Sequence, residues 1–157
     1  MTTTPLNPTL RFVPIATEIA RDARRTLQDR FGHTLAVESV VAPCRVCLRI
    51  PEVAQNFILL SYQPSADRNP YAEIGPIYIH ANECQPYEAT GTFPVDFLGR
   101  ELVLRAYDWD GRIYDAHVAA SGDGPRFAET FLRNPAIAEV HVRHTSYTCF
   151  DFKIVRQ

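Results

Sequence analysis

Residues 101–119 read ELVLRAYDWDGRIYDAHVA. Two runs of strand length flank a four-residue segment that ends in Gly111, where a tight turn needs a positive φ. The pattern predicts an antiparallel β-hairpin in which Arg105 lies opposite Asp115, a favourable pair of opposite charges. Hairpins of this kind are typical of antiparallel sheets, and they differ from the β-α-β units of a doubly wound fold.

Runs typical of strands recur along the rest of the chain, and two segments are typical of helices. The strand-like runs are residues 10–14, 35–41, 46–50, 57–62, 76–80, 137–143 and 148–155. The helical segments are residues 17–31 and a shorter one that begins at Pro125. Strands outnumber helices and do not alternate with them regularly, so we predict an α+β fold with a largely antiparallel sheet and two main helices. The length of 157 residues fits a single domain, residues 1–157, in which residues 1–9 form a loose N-terminal arm.

The first helix carries apolar residues at a spacing of four. Ile19, Ala23, Leu27 and Phe31 recur along one face of the segment 17–31. This spacing predicts that Leu27 and Phe31 belong to the core. It also places Arg24 and Gln28 on the solvent-exposed face, within a mixture of charges that is typical of a solvated surface.

The last two strands are expected to form a second hairpin. Their alternate apolar residues must point to one core, so directly opposed residues share a face. A short loop at 145–147 then pairs Val142 with Phe150 and places His141 opposite Asp151.

Composition and charge exclude several classes of protein. A hydrophobic fraction of 46% supports a packed core, and a net charge of −2 argues against a strongly basic nucleic-acid partner. The N-terminus lacks the basic and apolar regions of a secretory signal, and no apolar run approaches the ~20 residues that span a membrane. We therefore expect a cytoplasmic protein without nucleic-acid or membrane partners. Its four cysteines are too few for a disulfide scaffold and are expected to be reduced.

The residue types with the most chemical potential are cysteine and histidine in two short motifs. Cys44 and Cys47 have the C-x-x-C spacing, while His80 and Cys84 follow a predicted strand. Three thiols and one imidazole form a donor set typical of tetrahedral zinc sites. The four residues are therefore candidate metal ligands, with zinc as the candidate ion. One local feature argues against this interpretation, because Leu48 stands where zinc knuckles commonly have glycine.

Two other interpretations of the cysteines remain open. In a thiol-dependent enzyme, Cys84 or Cys47 would act as the nucleophile with His80 as the base. In a thiol redox catalyst, a helix N-terminus would activate the first thiol of the C-x-x-C motif, but Pro51 argues against a helix that starts after Cys47. In a structural or interaction domain, the cysteines would be inert and packed in the interior, where free cysteine is commonly found.

A long segment without regular structure, residues 63–75, carries Arg68, Tyr71 and Glu73 and is predicted to border the thiol motifs. The full set of predicted ligand-binding residues is Arg45, Tyr71, Arg143 and Cys149, in addition to the four candidate metal ligands. We therefore predict a binding domain with a Cys/His/Arg-lined pocket for a metal ion or a small anionic ligand.

Several motifs resemble an uncharacterised bacterial family, the domain of unknown function 1203. They are Pro43-Cys44-Arg45-x-Cys47-Leu48, Leu59-Leu60-Ser61-Tyr62, Pro70-Tyr71-x-Glu73-x-Gly75-Pro76-Ile77-x-x-His80-Ala81-x-x-Cys84, Arg105-Ala106-Tyr107-Asp108, Val140-His141-Val142-Arg143 and Cys149-Phe150. The resemblance extends from about Arg11 to Arg156. It implies a stand-alone domain without an established activity, and it assigns no catalytic residues.

Overall fold

The computed structural model describes residues 9–65, 69–88 and 91–157. Within them the chain forms eight strands and three helices: β1 (Leu10–Val13), α1 (Thr17–Thr26), β2 (Val37–Val40), β3 (Gln55–Tyr62), β4 (Gly75–His80), α2 (Val95–Leu98), β5 (Leu102–Asp108), β6 (Ile113–Ala119), α3 (Gly124–Leu132), β7 (Ile137–His144) and β8 (Phe150–Arg156). The predicted N-terminal arm, apart from Thr9, and Arg68 lie outside the described residues.

The strands form two antiparallel sheets. The larger sheet has the order β1-β8-β7-β5-β6, and the smaller has the order β2-β3-β4. The two longer helices are α1 and α3, so the predicted α+β class with two main helices is confirmed. No helix in the described part of the chain is long and apolar enough to cross a membrane.

Each sheet has its own apolar core. One face of the larger sheet packs against α3 and the segment around α2, where Phe12, Phe93, Phe97 and Phe152 make edge-to-face contacts. The smaller sheet packs against α1 in a second cluster. Cys44 is fully buried within this second cluster, so the first candidate metal ligand belongs to its core.

The first helix is shorter than the apolar spacing predicts. It ends at Thr26, because Leu27 adopts the left-handed conformation with φ 51° and donates its N–H to the carbonyl of Ala23. Leu27 and Phe31 are 38% and 40% exposed, so the prediction that they are core residues is wrong. Gln28 is exposed as predicted, whereas Arg24 is half-buried.

Both predicted hairpins form, but each has a shifted register. Arg105 lies opposite Ala116 instead of Asp115, because an irregularity after Ala106 displaces the pairing by one residue. In the C-terminal hairpin Val142 pairs with Phe152 instead of Phe150, because the connection between the strands is longer than predicted and an irregularity between Val142 and Arg143 adds a further displacement.

Most residues of the C-terminal hairpin keep their predicted faces despite the new register. His141 lies opposite Lys153 instead of Asp151, a displacement of two residues, which preserves the side of the sheet to which each residue points. Val140, Val142, Phe152 and Ile154 therefore still face the core of the larger sheet. Phe150, which lies beyond the irregularity in the pairing, packs in the second cluster instead, so the prediction that it shares this face is wrong.

Candidate metal centre

The segment that carries the C-x-x-C motif is a tight turn. The prediction of a strand over residues 46–50 is therefore wrong. The N–H of Leu48 donates to the carbonyl of Cys44 over 2.9 Å, and the N–H of Cys44 donates to the carbonyl of Arg49 over 3.0 Å. These bonds fold the chain back on itself, so Cys44 and Cys47 point to the same side instead of alternating as they would along a strand.

Leu48 adopts the conformation for which glycine is usual at this place. Its φ is +55°, and its side chain is completely buried in the core of the larger sheet. Burial of a leucine side chain contributes ~2 kcal/mol, which offsets the ~1–2 kcal/mol cost of the left-handed backbone. The absence of glycine after Cys47 is therefore compatible with a knuckle-like turn.

Arg45 attaches this turn to both sheets. Its N–H donates to the carbonyl of Tyr78 over 3.1 Å, and its side-chain Nε donates to the carbonyl of Phe150 over 2.8 Å. The guanidinium is 2% exposed and lies 3.3 Å from Asp151. Burial lowers the pKa of Arg45, and the negative charge of Asp151 opposes this effect. Arg45 thus stabilises the turn, and its guanidinium is already bound to Phe150 and Asp151.

The second pair of candidate ligands lies at the end of β4. His80 is the last residue of the strand, and its ring stacks on Phe57 with centroids 4.5 Å apart. Nε2 of His80 lies 2.8 Å from Oε1 of Gln55, a contact in which only the ring nitrogen can donate. This hydrogen bond leaves Nδ1 unprotonated in the neutral ring, with its lone pair free to bind a metal on the side of Cys47.

The four candidate ligands come together in one cluster. Their donor atoms all lie within 4.8 Å of one another, which confirms that the two motifs meet. Sγ of Cys44 lies 3.7 Å from Sγ of Cys84, and Sγ of Cys47 lies 3.6 Å from Nδ1 of His80. This cluster, Cys44, Cys47, His80 and Cys84, is called the Cys3His cluster below.

The Cys3His cluster favours one thiolate at its deepest position. The thiols of Cys47 and Cys84 contact the sulfur of Cys44, and backbone N–H groups of Cys47 and His80 also point at it. Together these contacts lower the pKa of Cys44 despite its burial. The pKa values of Cys47 and Cys84 are raised, chiefly by the same contacts with Cys44. N–H groups directed at a sulfur stabilise the deprotonated form that binds metals.

Arg24 is a member of the site that sequence reasoning assigned to the solvent. Its Nε donates to the carbonyl of His80 over 3.0 Å, and its Nη2 lies 3.5 Å from Sγ of Cys84. Its place in the repeat of α1 matches an exposed face, so no pattern in the sequence identifies this role. Gln55, the partner of His80, was missed for the same reason, because it lies at the start of a strand whose neighbours are known only from the fold.

The other predicted binding residues lie in different surroundings. Arg143 and Cys149 line a separate cavity of about 220 Å³ together with Glu73. Tyr71 lies in the loop that precedes β4, and the guanidinium of Arg112 is 5.4 Å from the centre of its ring. The single predicted pocket is therefore divided in the structure into the Cys3His cluster and a second polar region.

The fold and the site define a class: an α+β domain of two antiparallel sheets with a Cys3His cluster that could hold a metal ion. The chain belongs to the family described as "Protein of unknown function (DUF1203)", whose model matches residues 41–156. The match includes all four residues of the cluster and leaves out α1, which supplies Arg24. Neither a curated protein nor a solved structure matches the chain.

Proposed function

We propose that this protein binds one divalent metal ion of the zinc class through the Cys3His cluster. The observation that carries the proposal is the pair of distances between donor atoms. A tetrahedral centre with Zn–S bonds of about 2.3 Å and a Zn–N bond of about 2.0–2.1 Å separates two sulfurs by about 3.8 Å, and a sulfur and a nitrogen by about 3.6 Å. The separation of the Cys44 and Cys84 sulfurs is 3.7 Å and that of the Cys47 sulfur and Nδ1 of His80 is 3.6 Å, and every pair of donor atoms lies within 4.8 Å.

The donor set also selects the type of metal. Three thiolates and one imidazole favour soft or borderline ions such as Zn²⁺ over Mg²⁺ and Ca²⁺, which prefer oxygen ligands. Four protein ligands complete a tetrahedron and leave no position for substrate. The proposed role of the metal is therefore structural: it joins the turn at Cys44 and Cys47 to the end of β4.

A thiol-dependent enzyme is the second candidate function, and one contact favours it. Sγ of Cys47 lies 3.6 Å from Nδ1 of His80, a separation suited to a nucleophile and its base. In this alternative the cluster works without metal, and Cys47 or Cys84 is more reactive than an ordinary thiol. Inert cysteines, the third interpretation, would be unreactive and metal-free.

Metal analysis and thiol titration of the purified protein distinguish these functions. The protein is purified under reducing conditions without chelator, its metal content is measured by mass spectrometry, and its thiols are titrated before and after addition of EDTA. We expect one zinc per chain, one readily titrated thiol from Cys149, and three more thiols after the metal is removed. One hyper-reactive thiol without metal would support the enzyme, and four ordinary thiols without metal would support inert cysteines.

Two variants provide a matched comparison. Cys84→Ser removes one proposed ligand, while Cys149→Ser removes the cysteine outside the cluster. We expect C84S to lose stoichiometric zinc and C149S to retain it. Substitution with Co²⁺ adds a spectroscopic test, because tetrahedral thiolate coordination gives intense visible and charge-transfer bands in C149S that C84S should lose. The proposal requires reduced thiols, which a cytoplasmic location would supply.

A further inference from the structure

The face of the larger sheet opposite α3 carries a buried layer of charged residues. Three buried side-chain atoms in the described part of the chain lack a hydrogen-bond partner, and all belong to β7 or β8: Nδ1 of His141, Nε of Arg143 and Oδ1 of Asp151. This oxygen of Asp151 lies 3.3 Å from Nη2 of Arg45, so it has an ion-pair partner. Unpartnered buried polar atoms are rare in folded proteins, and a ligand that completes them is one physical explanation.

Arg143 shares its carboxylate partner with a second arginine. Nη2 of Arg143 lies 3.3 Å from one carboxylate oxygen of Glu73, and Nη1 of Arg105 lies 3.0 Å from the other. Two guanidinium groups therefore share one carboxylate. The side chain of Arg143 is only 9% exposed, so little water is available to solvate its charge. A second anion near Arg143 would give each of the two guanidinium groups an anionic partner of its own.

The contact between Arg143 and Glu73 is also geometrically incomplete. A guanidinium binds a carboxylate or phosphate best through two parallel N–H groups. Arg143 uses Nη1 for the carbonyl of Thr148, over 2.9 Å, and Nη2 for Glu73, while Nε has no acceptor. An oxyanion that takes the Nε–Nη2 edge would satisfy both groups, and Glu73 would retain Arg105.

A cavity adjoins this incompletely paired guanidinium. It has a volume of about 220 Å³ and is lined by Arg143, Tyr62, Cys149 and Glu73, among others. Drug-sized ligands occupy cavities of about 300–1,000 Å³, so this one suits a group of a few heavy atoms. Burial, reinforced by the charge of Glu139, raises the pKa of Tyr62 to about 12, so its phenol remains a neutral hydrogen-bond donor near pH 7.

We propose that this cavity binds a small oxyanion, a carboxylate or a phosphate-type group, on Arg143 with Tyr62 as a second donor. Glu73 is the internal competitor, because its half-exposed carboxylate holds Arg143 until the ligand displaces it. None of the residues that line the cavity belongs to the Cys3His cluster. The proposed anion site is therefore independent of the proposed metal site.

Selective alkylation of Cys149 tests the proposal. Iodoacetate carries a carboxylate, and iodoacetamide is its neutral counterpart. With both reagents the thiolate of Cys149 attacks carbon, an S–C bond forms, the C–I bond breaks and iodide leaves. The ratio of the two rates at Cys149, measured by peptide mass spectrometry, should exceed the ratio for a free cysteine peptide by about tenfold, because the site concentrates the anion.

Variants and competitors determine what the site recognises. Arg143→Gln should lower the rate ratio to that of the peptide, and Glu73→Gln should raise it, because the internal competitor is removed. Tyr62→Phe should lower the rate ratio partially, and this variant replaces R143Q in the test if R143Q does not fold. Arg126→Gln, an exposed arginine on α3, is the matched control and should leave the ratio unchanged.

Protection experiments separate the two ligand classes. Inorganic phosphate or acetate at millimolar concentration should slow iodoacetate labelling, whereas chloride at equal ionic strength should not. Protection by phosphate alone assigns a phosphate-type ligand, and protection by acetate alone assigns a carboxylate. A rate ratio equal to that of the peptide, insensitive to E73Q and to both anions, would mean that the cavity holds water only and would overturn the proposal.

Discussion

Nη2 of Arg24 lies 3.5 Å from Sγ of Cys84, 60 residues further along the chain. The same guanidinium donates to the carbonyl of His80, so one side chain of α1 contacts two ligand-bearing residues of the Cys3His cluster. A Zn²⁺ ion with three thiolates and a neutral imidazole has a net charge of −1. The positive charge of Arg24 beside the thiolate of Cys84 stabilises this negatively charged centre. Hydrogen bonds from a neighbouring side chain to metal-binding residues also hold the ligands in their orientation.

Replacement of Arg24 should therefore weaken metal binding. For Arg24→Gln we expect a zinc dissociation constant about 10–100-fold higher, the usual effect of removing a partner of a metal ligand. Competition against a chromophoric chelator measures this constant. Arg21→Gln is the control, because Arg21 lies on the exposed face of the same helix beside Asp22. Equal affinities for R24Q and R21Q would contradict the role assigned to Arg24.

The backbone at Leu48 predicts an unusual order of stability for two variants. Both Leu48→Ala and Leu48→Gly remove the buried side chain, at a cost of ~2–5 kcal/mol. Glycine ordinarily destabilises a regular element by ~0.5–1 kcal/mol relative to alanine, but at φ +55° it also relieves the left-handed strain. We therefore expect L48G to be at least as stable as L48A in urea unfolding of the metal-loaded protein. A clearly more stable L48A would show that this conformation is not strained.

The sequence contains enough information to predict the element types and the meeting of the two cysteine motifs. Alternation of apolar residues predicts which face of β7 and β8 meets the core of the larger sheet, and Val142, Phe152 and Ile154 keep that face although the register is displaced by two residues. Phe150 does not keep it, because an irregularity in the pairing precedes it. Register depends on the conformation of the connection, which alternation does not specify. The same limit applies to α1, where the left-handed turn at Leu27 ends a helix that the apolar spacing would continue to Phe31.

The roles of individual polar residues are harder to predict from the sequence. The turn at Cys44 was predicted as a strand because Val46, Leu48 and Ile50 alternate in a strand-like way. Its hydrogen bonds depend on a positive φ at Leu48, which the residue type disfavours. Arg24 belongs to the site only because α1 packs next to the end of β4, a relationship between distant segments that one sequence does not reveal.

The buried pair of Arg45 and Asp151 should be essential to stability. Asp151 is completely buried, and its other oxygen bonds to Nδ1 of His144 over 2.7 Å. Asp151→Ala leaves the guanidinium of Arg45 buried without a counter-ion, which should cost ~3–5 kcal/mol in urea unfolding. Asp123→Ala provides the comparison, because its ion pair with Arg126 is exposed and should contribute less than ~1 kcal/mol. A loss below ~1 kcal/mol for D151A would contradict the essential role of the pair.

Asp29 should make the stability of the fold depend on pH in the acidic range. This carboxylate lies in the loop after α1. Burial raises its pKa, but hydrogen bonds from the backbone N–H groups of Ser61, His33 and Phe31, and from the His33 ring, outweigh that effect and lower the pKa from 3.8 to about 2. The folded state therefore favours the charged form, and it binds fewer protons than the unfolded state between these two values.

The stabilisation from Asp29 should consequently be complete above pH ~4 and disappear as the pH falls through about 2. We expect the free energy of unfolding of the wild type to exceed that of Asp29→Asn by ~1 kcal/mol near pH 6, after allowance for screening by the surrounding solvent. The difference should shrink between pH 4 and 2 because protonation removes the charge that the N–H groups stabilise. Urea unfolding at a series of pH values checks this, with a reductant that is active in acid present throughout to keep all four cysteines as thiols. Parallel stability profiles for the wild type and D29N over this range would show that Asp29 is not held as a carboxylate by the loop.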